Sequence, residues 1–247
     1  MSRPVDSTVN IWSRSIFLFI SLVVAAVCVR LGFWQAGKLK HRRIANAIAY
    51  AARSEPAVLL PGRHDSLDGR RVIASGSYDH SHDFVVRGRE YLDTPGVHVV
   101  TPLRLTGSDT AVLVLRGFVP AADALTARPD TLQEPGPQIV RGIAIPLGSG
   151  PDSGAPRTVN GAVTWRWTDL AMATRLPYPI LPILVFQAGD STLPRWPRRL
   201  DPPVLDEGPY ESYAIQWFAF ALIFGGGGLV WAVLRQEKRD NAGPGGD

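Results

Sequence analysis

The chain has 247 residues, a formal net charge of +4 and one cysteine, Cys28. Its basic residues are spread along the chain without a long run, so the charge pattern does not indicate a nucleic-acid-binding protein. A single cysteine excludes an internal disulfide and a Cys-x-x-Cys metal site. We expect Cys28 to be a small packing residue.

An apolar segment near the amino terminus predicts a membrane anchor. Ile16–Val29 carries no charge, and residues 11–34 are enough for a helix across the roughly 30 Å hydrocarbon core of a bilayer. Arg14 and Arg30 then lie near the helix ends, where their side chains can reach the headgroups. A cleaved signal peptide is the alternative. Because no small-x-small cleavage site precedes a turn, we favour an uncleaved anchor after a cytoplasmic tail at residues 1–10.

The next part, residues 35–212, predicts one α+β domain. An amphipathic helix over residues 35–52 continues the anchor, and runs rich in Val and Ile then alternate with Gly, Asp, Pro and Ser, as in short hairpin strands. The predicted strands cover residues 71–78, 82–91, 96–105, 111–120, 138–146, 162–170 and 182–189, with short helices at 121–127 and 170–176. The expected fold class is a membrane protein in which two transmembrane helices flank an α+β domain with a mainly antiparallel, curled or barrel-like sheet.

A second apolar segment predicts the other transmembrane helix. Tyr213–Leu234, "YAIQWFAFALIFGGGGLVWAVL", has no charge. A glycine inside a helix costs about 1 kcal/mol in water, so four in a row need a reason. Small residues allow membrane helices to approach closely. On a helical wheel one stripe holds the small residues Ala214, Ala221, Gly225, Gly228 and Ala232.

The first apolar segment has a matching stripe, formed by Ser21, Ala25, Cys28 and Gly32. The two spans can therefore pack on each other or on a third helix from a partner. A glycine-rich helix that faces lipid without a fixed partner is the alternative. We take Ala221, Gly225 and Gly228 as candidate partner-binding residues.

Two spans place both tails on the same side of the membrane. After the second span "RQEKR" is basic, whereas "LDEGPYES" before it is acidic, which puts residues 235–247 in the cytoplasm by the positive-inside rule. The first span has the opposite bias, with "KLKHRR" after it. Long translocated domains often escape this rule. We therefore expect a multi-pass protein of the cell (inner) membrane with its large domain outside the cytoplasm.

No catalytic motif is present in the sequence, and no enzyme is expected. Gly-x-Ser-x-Gly, His-Glu-x-x-His and phosphate-binding loops are all missing. In a strand, His80 and His82 would face the same way, and His98 from a neighbouring strand could join them on a metal. Two ligands without a located third are weak evidence, so a polar hairpin tip is favoured. A membrane-anchored enzyme with a dispersed site on the sheet is the least favoured alternative.

Polar and aromatic residues collect where the two spans meet the outer membrane surface. If the spans pair, Arg30 and Trp34 end one helix, and Tyr210, Gln216 and Trp217 begin the other at the same depth. An aromatic belt explains the rings, because they prefer the interface, and snorkelling explains Arg30. Gln216 is harder to explain, since an amide near hydrocarbon needs a partner. The other interpretation is a surface that meets another protein or a bound amphiphile.

Three motifs occur in order along the chain. "LGFWQAGKLKHRR" contains Leu-Gly-x-Trp-Gln and spaced basic residues, "GVHVVTPLRL" with "AVLVLRGFVP" contains Thr-Pro-Leu and Leu-Val-x-Arg-Gly, and "YAIQWFAFA" opens the last span. Each resembles a motif of the Surfeit-locus-protein-one family of cytochrome c oxidase assembly factors, with Phe118 where the family has tryptophan and Lys38 where it has arginine. The resemblance covers about residues 31–234.

The resemblance implies a chaperone-like role in maturing subunit I of a haem-copper oxidase, around haem a delivery. Many relatives have a histidine at the position of Tyr210, and a neutral tyrosine is not a natural axial haem ligand. The chain then binds haem differently or does not bind it stably. The candidate contacts of a transient haem a are Arg30, Trp34, Tyr210, Gln216 and Trp217, and a membrane-anchored haem-binding carrier is the alternative function.

Arg116 lies in the family-like "VLRGF" segment directly after a run of apolar residues. We expect it at a strand end, where Gly117 bends the chain. It can pair there with a partner carboxylate, as a candidate partner-binding residue, or with an acid of its own domain. The second interpretation is favoured.

Overall fold

A computed structural model describes residues 7–62, 66–148, 156–159 and 162–240. They form two compact units, a helix pair made of residues up to Asn46 and from Asp206 onward, and a sheet unit from Ala47 to Leu205. The helices and strands, in chain order, are α1 (Ser7–Ser54), β1 (Val58–Leu60), β2 (Arg71–Tyr78), β3 (Phe84–Tyr91), β4 (Thr94–Leu105), β5 (Ala111–Pro120), β6 (Pro137–Pro146), β7 (Arg157–Val159), β8 (Ala162–Trp165), β9 (Ile180–Gln187) and α2 (Tyr210–Asp240).

Both apolar segments are helical, as predicted, and both are long and apolar enough to cross a membrane. α1 continues without a break into the predicted amphipathic helix and ends at Ser54. The chain therefore has two candidate membrane helices that flank a sheet-rich domain.

Small residues form the contact between α1 and α2, which we call the seam. A Cβ added to Gly225 would lie 3.5 Å from the Cβ of Ala25, and one added to Gly228 would lie 2.5 Å from Ser21 Oγ. The Ser21 hydroxyl donates a hydrogen bond to the carbonyl of Phe224. The two small-residue stripes thus pack on each other, because glycine lets the backbones approach.

The run of four glycines is divided between two faces of α2. Gly225 and Gly228 face α1, whereas a Cβ added to Gly226 or Gly227 would meet nothing within 4 Å. The predicted packing stripe is confirmed for Gly225 and Gly228, and these two residues are occupied by the chain's own first helix. Binding of a partner helix by Ala221, Gly225 and Gly228 stays a prediction.

Aromatic and polar contacts extend the helix pair at both ends. Phe17 and Trp231 have ring centroids 4.5 Å apart, and Arg43 forms an ion pair of 2.8 Å with Glu207. The Asn46 amide donates to the carbonyl of Asp206 over 2.8 Å. Residues early in α1 therefore lie opposite residues late in α2, so the pair is antiparallel along its length.

Five strands of the sheet unit close into a barrel in the order β2, β6, β9, β5 and β4, because β4 also pairs with β2. The β5–β9 pairing is parallel and the other four are antiparallel. β1 joins β2 in parallel, and β3, β8 and β7 extend the sheet beyond β4. The barrel-like sheet predicted from the sequence is confirmed.

Alternation along the strands divides the apolar residues between two cores. In β5, Val112 and Val114 belong to the cluster inside the barrel, whereas Leu113 and Leu115 belong to a second cluster outside it, which also contains Trp165. Successive side chains of a strand point to opposite faces, and both faces of β5 are covered. This explains why its sequence is a continuous apolar run.

The structure differs from the prediction mainly in short elements. Residues 121–127 form turns instead of a helix, because the Asp123 carboxylate accepts hydrogen bonds from the amides of Leu125 and Thr126. Leu170–Arg175 is a 3-10 helix. The three-residue strands β1 and β7 carry too little pattern to be predicted, and the proline- and glycine-rich connector at residues 148–156 lies mostly outside the described residues.

Packing at Gly228 can be tested by cross-linking. In a Cys28→Ser background, Ala25→Cys with Gly225→Cys places two thiols at a separation suitable for a disulfide. We expect Gly228→Leu to lower the cross-linked fraction strongly, because its side chain would enter the space of Ser21, at a cost of about 1–3 kcal/mol. Gly227→Leu is the matched control and should leave cross-linking unchanged. Equal loss in both variants would contradict the observed seam.

Candidate functional site

The interior of the barrel becomes polar at one end. Thr101 of β4 lies opposite Val114, and Tyr78 of β2 lies opposite Leu103, so both face the aliphatic interior. Arg116 and Gln187 continue the inward faces of β5 and β9, two residues beyond Val114 and Val185. Together with loop residues described below, these side chains form what we call the barrel-end cluster.

Arg116 is the centre of the cluster and is fully buried. Its guanidinium donates to Glu134 Oε1 over 2.6 Å and to the carbonyl of Leu132. It also donates to Thr101 Oγ1 over 3.4 Å and lies over the ring of Tyr78, 5.1 Å from its centroid. A buried arginine is tolerated when its charge is paired and its donors are satisfied, and Glu134 supplies the opposite charge.

A second arginine binds the same carboxylate. Arg199 donates to both oxygens of Glu134, over 2.6 and 2.9 Å, and to Gln187 Oε1 over 3.1 Å. Burial alone would raise the pKa of Glu134, but the two guanidinium groups outweigh this effect and lower it. For Tyr78, burial is the main cause of a raised pKa. At neutral pH Glu134 is therefore an ionised bridge between β5 and the segment before α2.

A histidine and a second carboxylate complete the cluster. The backbone N–H of Glu134 donates to His80 Nε2 over 3.0 Å, so Nε2 is the unprotonated nitrogen and Nδ1 carries the hydrogen toward Asp83 Oδ2, 3.3 Å away. The hydroxyl of Thr101 donates to Asp83 Oδ1. Burial raises the pKa of Asp83, although the hydrogen bonds from Thr101 and His80 and the charge of Arg116 oppose the shift.

The side chains of the barrel-end cluster form their hydrogen bonds mainly with one another. Both oxygens of Glu134 accept from guanidinium groups, and both nitrogens of His80 have partners. A general base or nucleophile needs a lone pair that can reach a substrate, and no such group of the cluster is free in the described structure. Its chemistry is therefore that of a structural ionic network.

Arg116 departs from the sequence-based expectation in its position, because it lies in the middle of β5, which continues to Pro120, and not at a strand end. It pairs with Glu134, an acid of its own domain, as the favoured interpretation expected, and the alternative of a partner carboxylate is wrong. Gly117 has φ of +144°, and a Cβ there would lie 2.1 Å from the carbonyl oxygen of Arg198. Glycine is needed because the returning segment packs against this backbone.

The histidine hypothesis is also corrected in its geometry. His80 and His82 lie in a 3-10 turn, His80–His82, instead of a strand, and His82 Nδ1 contacts Asp79 Oδ2 at 2.7 Å. Burial would raise the pKa of Asp79, but hydrogen bonds from Ser81, Tyr178 and His82 lower it to about 2. Within the described residues, no group of three or more His, Cys, Asp or Glu side chains is arranged for a metal.

His98 lies apart from the other two histidines. It is in β4 opposite Phe118, and the two rings meet edge to face with centroids 6.4 Å apart. Burial, assisted by the charge of Arg89, lowers the pKa of His98 to about 4. His98 is therefore a neutral packing residue at physiological pH.

The residues expected at the outer ends of the spans are brought together in part. Gly32 packs against the ring of Phe218, so Trp34 lies about level with Gln216 and Trp217 on the antiparallel helices. Trp34 and Gln216 are exposed, and Lys38 Nζ lies 5.7 Å from the ring of Trp34. These residues share one level of the helix pair.

Tyr210 lies at a different level. Arg43 contacts the side chains of both Glu207 and Glu211, which places Tyr210 near the level of residues 40–43. Arg30 is at least 10 residues away along α1, or roughly 15 Å at 1.5 Å per residue. Tyr210 and Arg30 therefore lie at different levels of the helix pair, and the contact of all five residues with one transient haem a stays a prediction.

Sequence reasoning missed several polar residues that the structure brings together. Glu134, Arg199 and Asp83 lie in loops, and their partners are distant in sequence. The sequence contained one indication of this cluster. Arg116 is two residues beyond Val114 and four beyond Val112, so it points to the same inner face of β5, and a buried arginine needs an acid as its partner. Gln35 is the last residue of the Leu-Gly-x-Trp-Gln motif. Its Oε1 is buried without a hydrogen-bond partner in the described structure.

Removal of the Glu134 charge should destabilise the sheet unit. Glu134→Gln leaves two buried guanidinium groups without a counter-charge, and we expect a loss of about 3–5 kcal/mol in the free energy of unfolding. Urea unfolding of the full chain in micelles, followed by tryptophan fluorescence, measures it. Glu90→Gln, at an exposed position of β3, is the control and should change stability by less than about 0.5 kcal/mol.

The same substitution should change the acid sensitivity. The folded-state pKa of Glu134 lies below its ordinary value of 4.5, so the unfolded state takes up the proton first as the pH falls. The contribution of Glu134 is therefore complete above about pH 4.5 and is lost as the pH falls through the lowered folded value. Parallel acid-unfolding curves for the parent and Glu134→Gln would contradict this role.

Comparison with known proteins assigns the chain to a family. The SURF1 family model matches residues 22–222, which include part of each apolar helix and the whole sheet unit. A SURF1-like protein of Monosiga brevicollis is 27% identical over 237 residues, covering 90% of this chain and 88% of that protein. Surfeit locus protein 1 of Takifugu rubripes is 25% identical over 221 residues, covering 80% and 89%.

A SURF1-like protein of Caenorhabditis elegans is 24% identical over 240 residues, covering 86% of this chain and 72% of that protein. The similarity extends over nearly the full length of relatives from distant organisms. The motifs around Trp34, Arg116 and Trp217 are therefore parts of one continuous match. The chain belongs to the SURF1 family, which is known generally as a family of oxidase assembly factors.

Proposed function

We propose that the protein is a chaperone-like assembly factor for a haem-copper terminal oxidase, which aids the maturation of subunit I at the stage of haem a insertion. The observation that carries the proposal is the family match over residues 22–222. It includes the same order of helix, sheet-rich domain and helix that the structure shows. The role is one of binding and positioning a client protein.

The proposal includes a place in the cell. α1 and α2 anchor the protein in the cell (inner) membrane, and the sheet unit lies on the extracytoplasmic side. The support is the length and composition of the two helices and the basic sequence that follows the apolar part of α2. In this position the sheet unit can meet the outer parts of a membrane-embedded client while the helices meet its spans.

The faces left open on the helix pair are suited to contact with a client or with lipid. The seam uses the small residues, and large apolar side chains point away from it. Phe19 of α1 and Leu222 of α2 are 68% and 76% exposed. A client helix would therefore pack against large side chains, in place of the glycine stripe expected from the sequence.

A non-enzymatic role is part of the proposal. Its support is that the buried carboxylates and histidine of the barrel-end cluster are hydrogen-bonded to other members of the cluster. Enzymes keep a reactive group within reach of the substrate.

Deletion of the gene should lower the amount of assembled oxidase. The expected result is a several-fold loss of the haem a absorbance of membranes, while the other respiratory complexes persist. A plasmid copy of the parent chain should restore the absorbance, and a copy that ends before α2 should not, because half of the helix pair is removed. Full haem a absorbance in the deletion strain would overturn the proposed function.

A second candidate function is a haem-binding carrier. The observation in its favour is a shallow groove on α1 where apolar Val29 and Phe33 lie between Arg30 and Trp34. Protein loaded with haem should then show a Soret band that weakens with Arg30→Ala. Tyr210→Phe should leave the band unchanged, because Tyr210 lies at another level. The absence of any band after loading would remove this candidate.

A further inference from the structure

Four arginines and a tryptophan lie together at the open side of the sheet, beyond the barrel. Arg87 and Arg89 are in β3, Arg157 is in β7, and Arg166 and Trp167 directly follow β8. β8 pairs with β3, and β7 is the last strand of the sheet in the described structure. We call these five residues the Arg–Trp patch.

Backbone carbonyls hold two of the guanidinium groups in place. Arg87 donates to the carbonyl and the hydroxyl oxygen of Thr164, over 2.9 and 3.3 Å. Arg89 donates to the carbonyl of Arg166 over 2.7 Å. These hydrogen bonds orient the guanidinium groups without neutralising them. The positive charges of Arg87 and Arg89 can therefore attract an anionic partner.

No carboxylate forms an ion pair with the patch in the described part of the chain. The arginines instead affect one another. The pKa of Arg87 is lowered by burial and by the charges of Arg157 and Arg166, and the pKa of Arg89 is lowered by burial and by Arg166. Like charges this close are unfavourable in the free protein, and an anionic partner would relieve the repulsion.

Trp167 adds an apolar contact at the centre of the charges. Its ring is 46% exposed, with the guanidinium of Arg89 4.6 Å and that of Arg166 6.0 Å from its centroid. Val163 of β8 is 45% exposed. Tryptophan and arginine are the residue types most enriched among side chains that dominate protein–protein binding energy.

We propose that the Arg–Trp patch is a docking surface for an acidic segment of the client protein. Carboxylates of that segment would bind the guanidinium groups, and an apolar side chain would cover Trp167. Arginine suits this partner because its planar fork binds a carboxylate through two parallel hydrogen bonds. The inference rests on the proposed assembly function, since it assigns the surface that the client meets.

The test measures capture of oxidase subunit I by the tagged full-length protein from membranes of its own cells. Arg157→Glu with Arg166→Glu should reduce capture about tenfold or more, and Trp167→Ala should reduce it comparably. Raising the salt concentration from about 0.05 to 0.3 M should weaken capture by the parent protein. The same increase in salt concentration should have little effect on the amount of subunit I that the double variant still captures.

The matched control is Arg195→Glu. Arg195 is exposed and its guanidinium lies 5.6 Å from the ring of Trp196, so it reproduces one of the two charge reversals beside a tryptophan outside the patch. This variant should capture subunit I as the parent does. The melting temperatures of all variants should match that of the parent, because the substituted side chains of Arg157, Arg166 and Arg195 are exposed.

Three outcomes would overturn the proposal. Equal capture by the parent and by both patch variants overturns the patch alone and leaves the assembly function standing. No capture by the parent overturns both. In a second arm, the protein in neutral nanodiscs is mixed with phosphatidylglycerol vesicles. If the patch variants lose vesicle binding but keep subunit I, the patch recognises anionic lipid and the protein-partner assignment is wrong.

Discussion

The pairing of one carboxylate with two buried arginines is the interaction on which the sheet unit depends. Glu134 pairs with Arg116, which is inside the barrel, and with Arg199, which lies in the segment between β9 and α2. Neither arginine could be buried alone, since an unpaired charge away from water costs several kcal/mol. The barrel end can therefore close only when the loop that carries Glu134 and the segment that carries Arg199 are both in place.

A related constraint shapes the helix pair. Its closest contacts are made by residues with almost no side chain, such as Gly228 against Ser21, so the helices interact with each other through backbone proximity. Many of their bulky apolar residues are exposed, whereas Phe218 packs on Gly32 and Phe17 contacts Trp231. In both units, residues that the sequence motifs selected as partner-binding, such as Gly228 and Arg116, make contacts within the chain. The surfaces that remain exposed for binding a partner are formed by other residues.

This distribution of buried and exposed groups agrees with the proposed role of binding and positioning another protein. The charges of the barrel-end cluster are paired within the sheet unit, and the exposed features are apolar helix faces and a patch of arginines around Trp167. Membership of the SURF1 family gives these features a context in oxidase assembly. Tyr210 shows why family motifs must be compared with geometry, because it lies several helical turns from Arg30, a residue with which sequence reasoning grouped it.

The sequence alone determined the two apolar helices, the strands of the barrel and the small-residue stripes, because each depends on local hydrophobic period and residue size. The boundaries of β2 and β5 agree with the prediction for the same reason. Only the tertiary structure decided which stripe packs on which, and which acid neutralises Arg116. It also showed that the arginines of β3, β7 and the segment after β8 share one surface. The residues in these contacts come from different segments of the chain. A local sequence pattern does not show which loop places its charged side chain beside a given buried residue.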